Sequence, residues 1–346
     1  MKRAESILSK EITRNNLSRL TSLARKNDSL AILMYGAPDP DAVASAMALK
    51  EILGKTVGLA KCTFVSTDPV ARQQNVELIR EMKISIELLD KVQLADYRLI
   101  ALVDAQPPFF GKALENITPQ IVLDHHPRDG EWRADLEDIR PRYGALSTIL
   151  MEYLLAAQIK ISRRLYTALL YGIKTDTNSF ERDAILEDVS AYYVTFSRAN
   201  RQLIRRIELN QIPDRFIKYF DHAYHYRRRY RDRIICYLGR VENTDVCVQV
   251  ADFFLNLINI YYVVIAGMTK DRLIIVFRGD GYRQDCGAIA QKAFGAYGSA
   301  GGHKSAARVE IALDPLRDLL KNDLTQEGVD HFLVQHLRGK RKKKEP

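Results

Sequence analysis

Four short apolar runs in the first half of the chain each lead into acidic residues, and this arrangement narrows the fold more than any other feature. Leu30-Ala31-Ile32-Leu33-Met34-Tyr35 precedes Asp39 and Asp41, and Leu99-Ile100-Ala101-Leu102-Val103 precedes Asp104. Gln120-Ile121-Val122-Leu123 precedes Asp124-His125-His126, and Leu169-Leu170-Tyr171-Gly172-Ile173 precedes Asp176. Carboxylates and imidazoles at the ends of buried segments are costly unless something binds them, and a divalent metal is the obvious candidate. The four together predict one site assembled from strand ends.

The segments between these runs set the architecture. Strands are predicted over 30–36, 56–65, 84–89, 97–103 and 119–124, with helices over 41–53 and 75–83. Such alternation builds a mostly parallel sheet with helices on both faces, and ligands bind beyond the carboxyl ends of its strands. From Gly144 the apolar spacing becomes helical, over 145–157, 163–173 and 184–196. A second alternation follows, with strands over 234–241, 261–267, 272–278 and 307–313 and helices over 245–257 and 285–294. The fold class is therefore α/β with two domains: an N-terminal mostly parallel sheet flanked by helices and a smaller C-terminal α/β domain, joined by a helical linker. The divisions fall at 1–28 for a helical extension, 29–197 for the metal-binding domain, 198–231 for the basic linker, 232–330 for the second domain and 331–346 for a basic tail.

Composition excludes several classes. The 346 residues are 47% hydrophobic and 27% charged, as in a globular chain rather than a disordered one. No apolar run approaches the roughly 20 residues of a membrane span, and the N-terminus lacks a signal-peptide core. Cys62, Cys236, Cys247 and Cys286 show no metal or redox spacing. They read as reduced thiols, which points to the cytoplasm. The formal charge of +9 favours polyanionic partners. Its densest part, Arg227 to Arg233, interleaves with Tyr219, Tyr224, Tyr226 and Tyr230. That mixture could stack on bases and hold phosphates, or pack a helix against a domain, which is favoured. His222 and His225, without acidic neighbours, are expected at a surface or nucleic-acid contact ahead of a metal. Trp132 and Phe109-Phe110 read as packing or loop cover.

Asp39-Pro40-Asp41 puts two carboxylates two residues apart in a turn stiffened by proline, where they can face two neighbouring metals. One of them could instead cap the following helix. Carboxylate and imidazole donors suit Mn²⁺ or Mg²⁺, and the histidine tilts the choice to Mn²⁺.

Asp39-x-Asp41, Asp104, Asp124-His125-His126 and Thr175-Asp176-Thr177 resemble, in order, the four motifs of the DHH phosphoesterases. Gly301-Gly302-His303, followed by Ala306, resembles the signature of the DHH-associated C-terminal domain. The resemblance spans roughly residues 30–312 and is nearest the nanoRNase and pAp-phosphatase branch, which hydrolyses very short oligonucleotides and 3′-phosphorylated nucleotides. It implies two Mn²⁺ ions, or Mg²⁺. Asp39 and Asp104 would hold the first, Asp104 would bridge, and Asp41, His125 and Asp176 would complete the second. Asp124 would orient the adjacent histidine and fix its tautomer, while His126 would contact the scissile phosphate or protonate the leaving group. Gly301, Gly302 and His303 would form a loop for the substrate's terminal phosphate, with Arg278 pairing to phosphate beside it.

Two positions depart from the pattern. Tyr35 stands where the family usually has a histidine ligand, so the first metal lacks a nitrogen donor. That site is expected to bind more weakly, with water or the Tyr35 oxygen in the gap; a different metal, or binding without hydrolysis, are the other readings. Asn178 stands where a glycine is common. The resemblance implies a cytoplasmic phosphodiesterase or exoribonuclease-type hydrolase acting on a short single-stranded oligonucleotide or nucleotide, with no membrane partner. A homodimer is compatible with it. The alternatives are a cyclic- or linear-dinucleotide phosphodiesterase, or a nucleotide-binding homologue with impaired catalysis.

Overall fold

The computed structural model describes residues 1–182, 184–209 and 212–337. The chain divides after residue 211 into two compact units.

The first unit opens with two helices, α1 (Lys2–Ile7) and α2 (Glu11–Leu23). The sheet is built from β1 (Ser29–Met34), β2 (Lys61–Ser66), β3 (Ile86–Leu88), β4 (Leu99–Val103), β5 (Ile121–Asp124) and β6 (Leu136–Ile139). Its order is β3-β2-β1-β4-β5-β6, and every pairing is parallel. The chain moves outward from β1 to β3, then returns to the other side of β1 with β4. That reversal leaves a crevice beyond the carboxyl ends of β1 and β4, where ligands bind in open α/β sheets. Asp39 and Asp41 follow β1, and Asp104 follows β4.

Each strand alternates its side chains between two cores. Leu30, Ile32 and Met34 pack with Ala101, Val103 and Leu123 under α3 (Pro40–Thr56), α4 (Gln73–Met82), α5 (Leu146–Ala156), α6 (Arg163–Asp176), α7 (Leu186–Phe196) and α8 (Arg201–Leu209). Ala31, Leu33, Leu102 and Val122 face the other core. There the sheet is covered by short 3-10 turns, notably Pro107–Leu114, rather than by long helices. The strand predicted over 56–65 starts only at Lys61, because α3 continues through Thr56. Asp39 caps α3, its side chain accepting the Ala42 N–H at 2.9 Å, and Pro40 takes the first helical position, where no backbone donor is lost. Asp176 comes from the end of helix α6, not from a strand.

The second unit holds α9 (Ile217–Tyr226), β7 (Arg228–Tyr230), β8 (Arg233–Arg240), α10 (Asp245–Leu255), β9 (Tyr262–Met268), β10 (Arg272–Gly279), α11 (Cys286–Phe294), β11 (Ser299–Gly302), β12 (Ala306–Ala312), α12 (Leu313–Leu319) and α13 (Gln326–Leu337). The sheet order is β11-β12-β10-β9-β8-β7, with β8 and β9 parallel and the other pairs antiparallel. It is a second, mixed α/β domain, as the alternation predicts.

The stretch expected as one helical linker is split: α8 belongs to the first unit, while α9 and β7 belong to the second. Tyr219 is buried in the second unit's core, and His222 bonds the Tyr237 carbonyl, so this helix face is packing surface. The basic tail begins later than expected, since 331–337 lie in α13. Residues 338–346 lie outside the described residues. No described helix is long and apolar enough to cross a membrane.

Candidate metal centre

The carboxyl end of the first sheet gathers the acidic residues and both histidines of the triplet. Asp41, in the first turn of α3, is fully buried. Its oxygens accept the N–H groups of Leu146 at 2.7 Å and Ser147 at 2.8 Å, at the start of α5. That helix end supplies positive backbone dipole to the buried carboxyl group. Close approach of α6 is also required, and Gly172 permits it. A Cβ there would lie 2.5 Å from Ser147 Oγ and 3.0 Å from Asp41 Oδ1. α6 then delivers Asp176 to the same place. Asp104 adopts φ +56°, a left-handed conformation unusual for a residue other than glycine, as its chain leaves β4. Asn178, where a glycine was expected, is also left-handed at φ +47°, followed by Ser179 and Phe180 at +57° and +68°. Asparagine tolerates this conformation better than most residues, so the turn beyond Asp176 still forms.

His125 sits at the centre. Its Nδ1 lies 3.0 Å from the Tyr143 carbonyl, which can only accept, so Nδ1 carries a proton and, in the neutral ring, the lone pair is on Nε2. Nε2 is 2.9 Å from Asp176 Oδ2 and 3.3 Å from Asp104 Oδ1. Those three buried atoms have no hydrogen-bond partner. Two sets of donor atoms lie within 4.8 Å of one another and share His125: Asp41, His125 and Asp176; and Asp104, His125 and His126. Asp39 stands outside both sets with one oxygen engaged as a helix cap, although its charge is felt by Asp41.

The electrostatics show how much negative charge is concentrated here. Burial, then the charge of Asp104, pushes the Asp39 carboxyl up to about 7. Asp41 is raised well above the carboxylate range, first by burial and then by Asp104 and Asp176. Burial opposes a charge on His125, but Asp104, Asp176 and Asp41 outweigh it and push its pKa up to about 12. In the absence of a cation, a proton on His125 is the charge these carboxylates would hold. Carboxylate oxygens and an imidazole nitrogen, three of these buried donor atoms being orphaned, are a set that fits a hard or borderline divalent ion.

Asp124 differs from its expected role. Its side chain turns back to accept the N–H groups of His125 at 2.8 Å and His126 at 3.2 Å, and it pairs with His126 Nδ1 at 2.9 Å. The tautomer of the adjacent His125 is therefore fixed by a backbone carbonyl, and Asp124 orients His126 instead. Burial works against the Asp124 anion, but bonds from His126 and Gln106 hold its carboxyl below the usual range. His126 is raised chiefly by its bond to Asp124. With Nδ1 so engaged and the side chain 48% exposed, Nε2 is the ring nitrogen left without a partner among the described residues.

Sequence reasoning missed the residues that hold this frame. Buried Gln106 donates to Asp124 at 2.8 Å and to the Pro127 carbonyl at 3.0 Å, and accepts the Asp129 N–H at 2.8 Å. Arg140 bonds Asp138 through two nitrogens and Glu152 through a third, each at 2.7 Å, and Glu152 accepts the Tyr143 hydroxyl at 2.8 Å. This network anchors the residue whose carbonyl meets His125. A buried arginine close to two acids is a weak sequence signal, but it was available.

The sites in the second unit differ from expectation. Gly301 and Gly302 are not in an open loop; they end the edge strand β11, and His303 N donates to the Ala306 carbonyl at 2.7 Å. The reason is close packing: a Cβ on Gly287 of α11 would come within 2.6 Å of the Gly302 carbonyl. Arg278 is paired with Asp252 at 2.8 Å and with the Phe277 carbonyl at 3.1 Å. Tyr35 is 51% exposed, with its ring against Phe109 and Phe110 at 5.7 and 5.6 Å between centroids.

Residues 29–173 match the DHH family, N-terminal domain. This part of the chain is similar to a DHH domain. An uncharacterized protein of Methanocaldococcus jannaschii is 32% identical over 296 residues, covering 83% of this chain and 59% of that protein. The chain thus spans less than two thirds of that relative's length. A crystal structure of an exopolyphosphatase-related protein from Bacteroides fragilis superposes with a TM-score of 0.70 at 16% identity, covering 95% of this chain and 96% of the other. That likeness establishes a common fold. The triplet Asp124-His125-His126 lies within the matched residues, and its two histidines face different partners: the Tyr143 carbonyl for His125 and the Asp124 carboxylate for His126.

Proposed function

We propose that the chain is a metal-dependent phosphoesterase whose substrates are short oligonucleotides or 3′-phosphorylated nucleotides. The observation that carries this reading is the convergence of Asp104 Oδ1, His125 Nε2 and Asp176 Oδ2, all buried and none hydrogen-bonded. Asp41, Asp104, His125 and Asp176 would hold divalent cations, with Asp39 at the edge of the set, and Mn²⁺ is the preferred ion on donor chemistry. When bound, such ions polarise a phosphoryl oxygen and make water a competent nucleophile at neutral pH. The chain's own contribution is positional. Asp124 fixes the His126 ring so that Nε2 points outward, where it can donate a hydrogen bond or proton to the leaving oxygen. Tyr143 fixes His125 with its bare nitrogen toward the carboxylates.

The test is a panel assay with dinucleotides, pAp, cyclic dinucleotides and longer single strands in Mn²⁺. Release of mononucleotide or phosphate that disappears in Asp104→Ala supports the reading; wild-type turnover in that variant sinks it. Because the Bacteroides neighbour is named exopolyphosphatase-related, inorganic polyphosphate belongs in the panel as a ring-less competitor substrate.

A further inference from the structure

Tyr35 occupies the place of an expected metal ligand, yet its surroundings are aromatic. Phe109 lies tilted against it at 58° and Phe110 edge-on at 72°. Phe110 is buried and anchors the pair in the core, while the Tyr35 ring remains 51% exposed. Its hydroxyl has no hydrogen-bond partner among the described residues, so one side of the ring packs on the two phenylalanines while the rest is left open to solvent.

The sheet register locates this ring relative to the metal centre. Leu33 is level with Leu102 and Val103 with Leu123. Continuing the register, Tyr35 leaves β1 level with Asp104, and Asp104 leaves β4 level with Asp124. Adjacent strands are about 4.8 Å apart, so the Tyr35 backbone stands one strand from that of Asp104, one of the carboxylates of the centre. Its backbone is set: Gly36 turns at φ +67°, and its N–H donates to Thr67 Oγ1 at 2.7 Å. On the other side Phe109 and Phe110 sit in the 3-10 segment that starts three residues beyond Asp104.

We propose that Tyr35, backed by Phe109 and Phe110, is a stacking platform for the base of a nucleotide whose phosphate lies at the metal centre. This deepens the phosphoesterase reading and rests on it: the site would select phosphoesters that carry an aromatic ring. Every base offers a π-face, so the platform gives affinity without base identity. A ring-less polyanion gains nothing from it.

Two probes that differ only by the base test the platform. Equilibrium binding of AMP and of ribose 5-phosphate to the full Mn²⁺-loaded chain is measured by calorimetry. Wild type should prefer AMP by about tenfold, the scale of one base–aromatic stack. Tyr35→Ala should erase that preference, and Tyr35→Phe should keep it. A preference that survives in Tyr35→Ala overturns the proposal, as does a wild type that treats the two probes alike. Loss in Tyr35→Phe equal to that in Tyr35→Ala also overturns it, because the hydroxyl rather than the ring would then be responsible. Hydrolysis of diadenylate is followed separately. If wild type fails to cleave it but shows the AMP preference and its loss in Tyr35→Ala, the reaction assignment fails and the platform stands.

Discussion

At the residue scale, the centre depends on which nitrogen of each histidine is free. His125 presents Nε2 because Tyr143 takes Nδ1–H, and His126 presents Nε2 because Asp124 takes its Nδ1. These are separate devices, so the two histidines should fail differently. His126→Ala should lower kcat by about 100- to 10,000-fold, the range for a lost general acid. The Mn²⁺-induced rise in melting temperature should remain. His125→Ala should abolish that rise as well as turnover. Differential scanning fluorimetry with and without Mn²⁺ separates them, and equal losses of the thermal shift would contradict the division of roles. The acidic cluster was legible in the sequence because carboxylates at the ends of buried runs are too costly to be idle. The partner of His125 was not, because a backbone carbonyl carries no residue signature.

At the element scale, the centre is an assembly of helix ends packed closely on one sheet. Gly172 controls the approach of α6 to α3 and α5. Gly172→Ala should destabilise the fold by about 1–3 kcal/mol, as overpacking does, and weaken Mn²⁺ binding by displacing Asp176; chemical denaturation and metal titration would register both. Arg140 belongs to a buried network with Asp138 and Glu152. Removing one partner of such a set costs about 3–5 kcal/mol, so Arg140→Met should show that loss in urea melts. Asp330 on α13 makes a pH-dependent prediction in the second unit. Burial raises its carboxyl above the ordinary 3.8, and one oxygen has no partner. The folded state therefore holds this proton more tightly than the unfolded state. The penalty is absent below pH 3.8, grows as pH rises toward the raised value, and is full above it. Asp330→Asn should be more stable than wild type at pH 7, and that advantage should shrink as pH falls toward 4. An advantage independent of pH would show that the charge is not its cause. Periodicity made most strands and helices legible to within a few residues. It missed β6, β7, β11, α12 and α13, since β6, β7 and β11 are short edge strands, β7 was read with the basic linker, and the sequence before the basic tail was read with the tail.

At the scale of the whole molecule, all the candidate metal ligands lie in the first unit, which has cores on both faces of its own sheet. Residues 1–211 expressed alone should fold and keep the Mn²⁺ thermal shift; ligand at 100 times its dissociation constant adds about 2.7 kcal/mol. A fragment that folds but shows no shift would place a needed ligand elsewhere. What the sequence by itself determined is the chemistry: the α/β class, the acidic strand ends and the triplet follow from local patterns that read the same in any context. What only the tertiary structure decided is partnership. Asp124 turns to His126 rather than His125, Tyr35 joins Phe109 and Phe110, and Gly301 and Gly302 close onto α11 through Gly287. These contacts join residues distant in sequence or use backbone atoms, so their energies depend on packing geometry that no local pattern encodes.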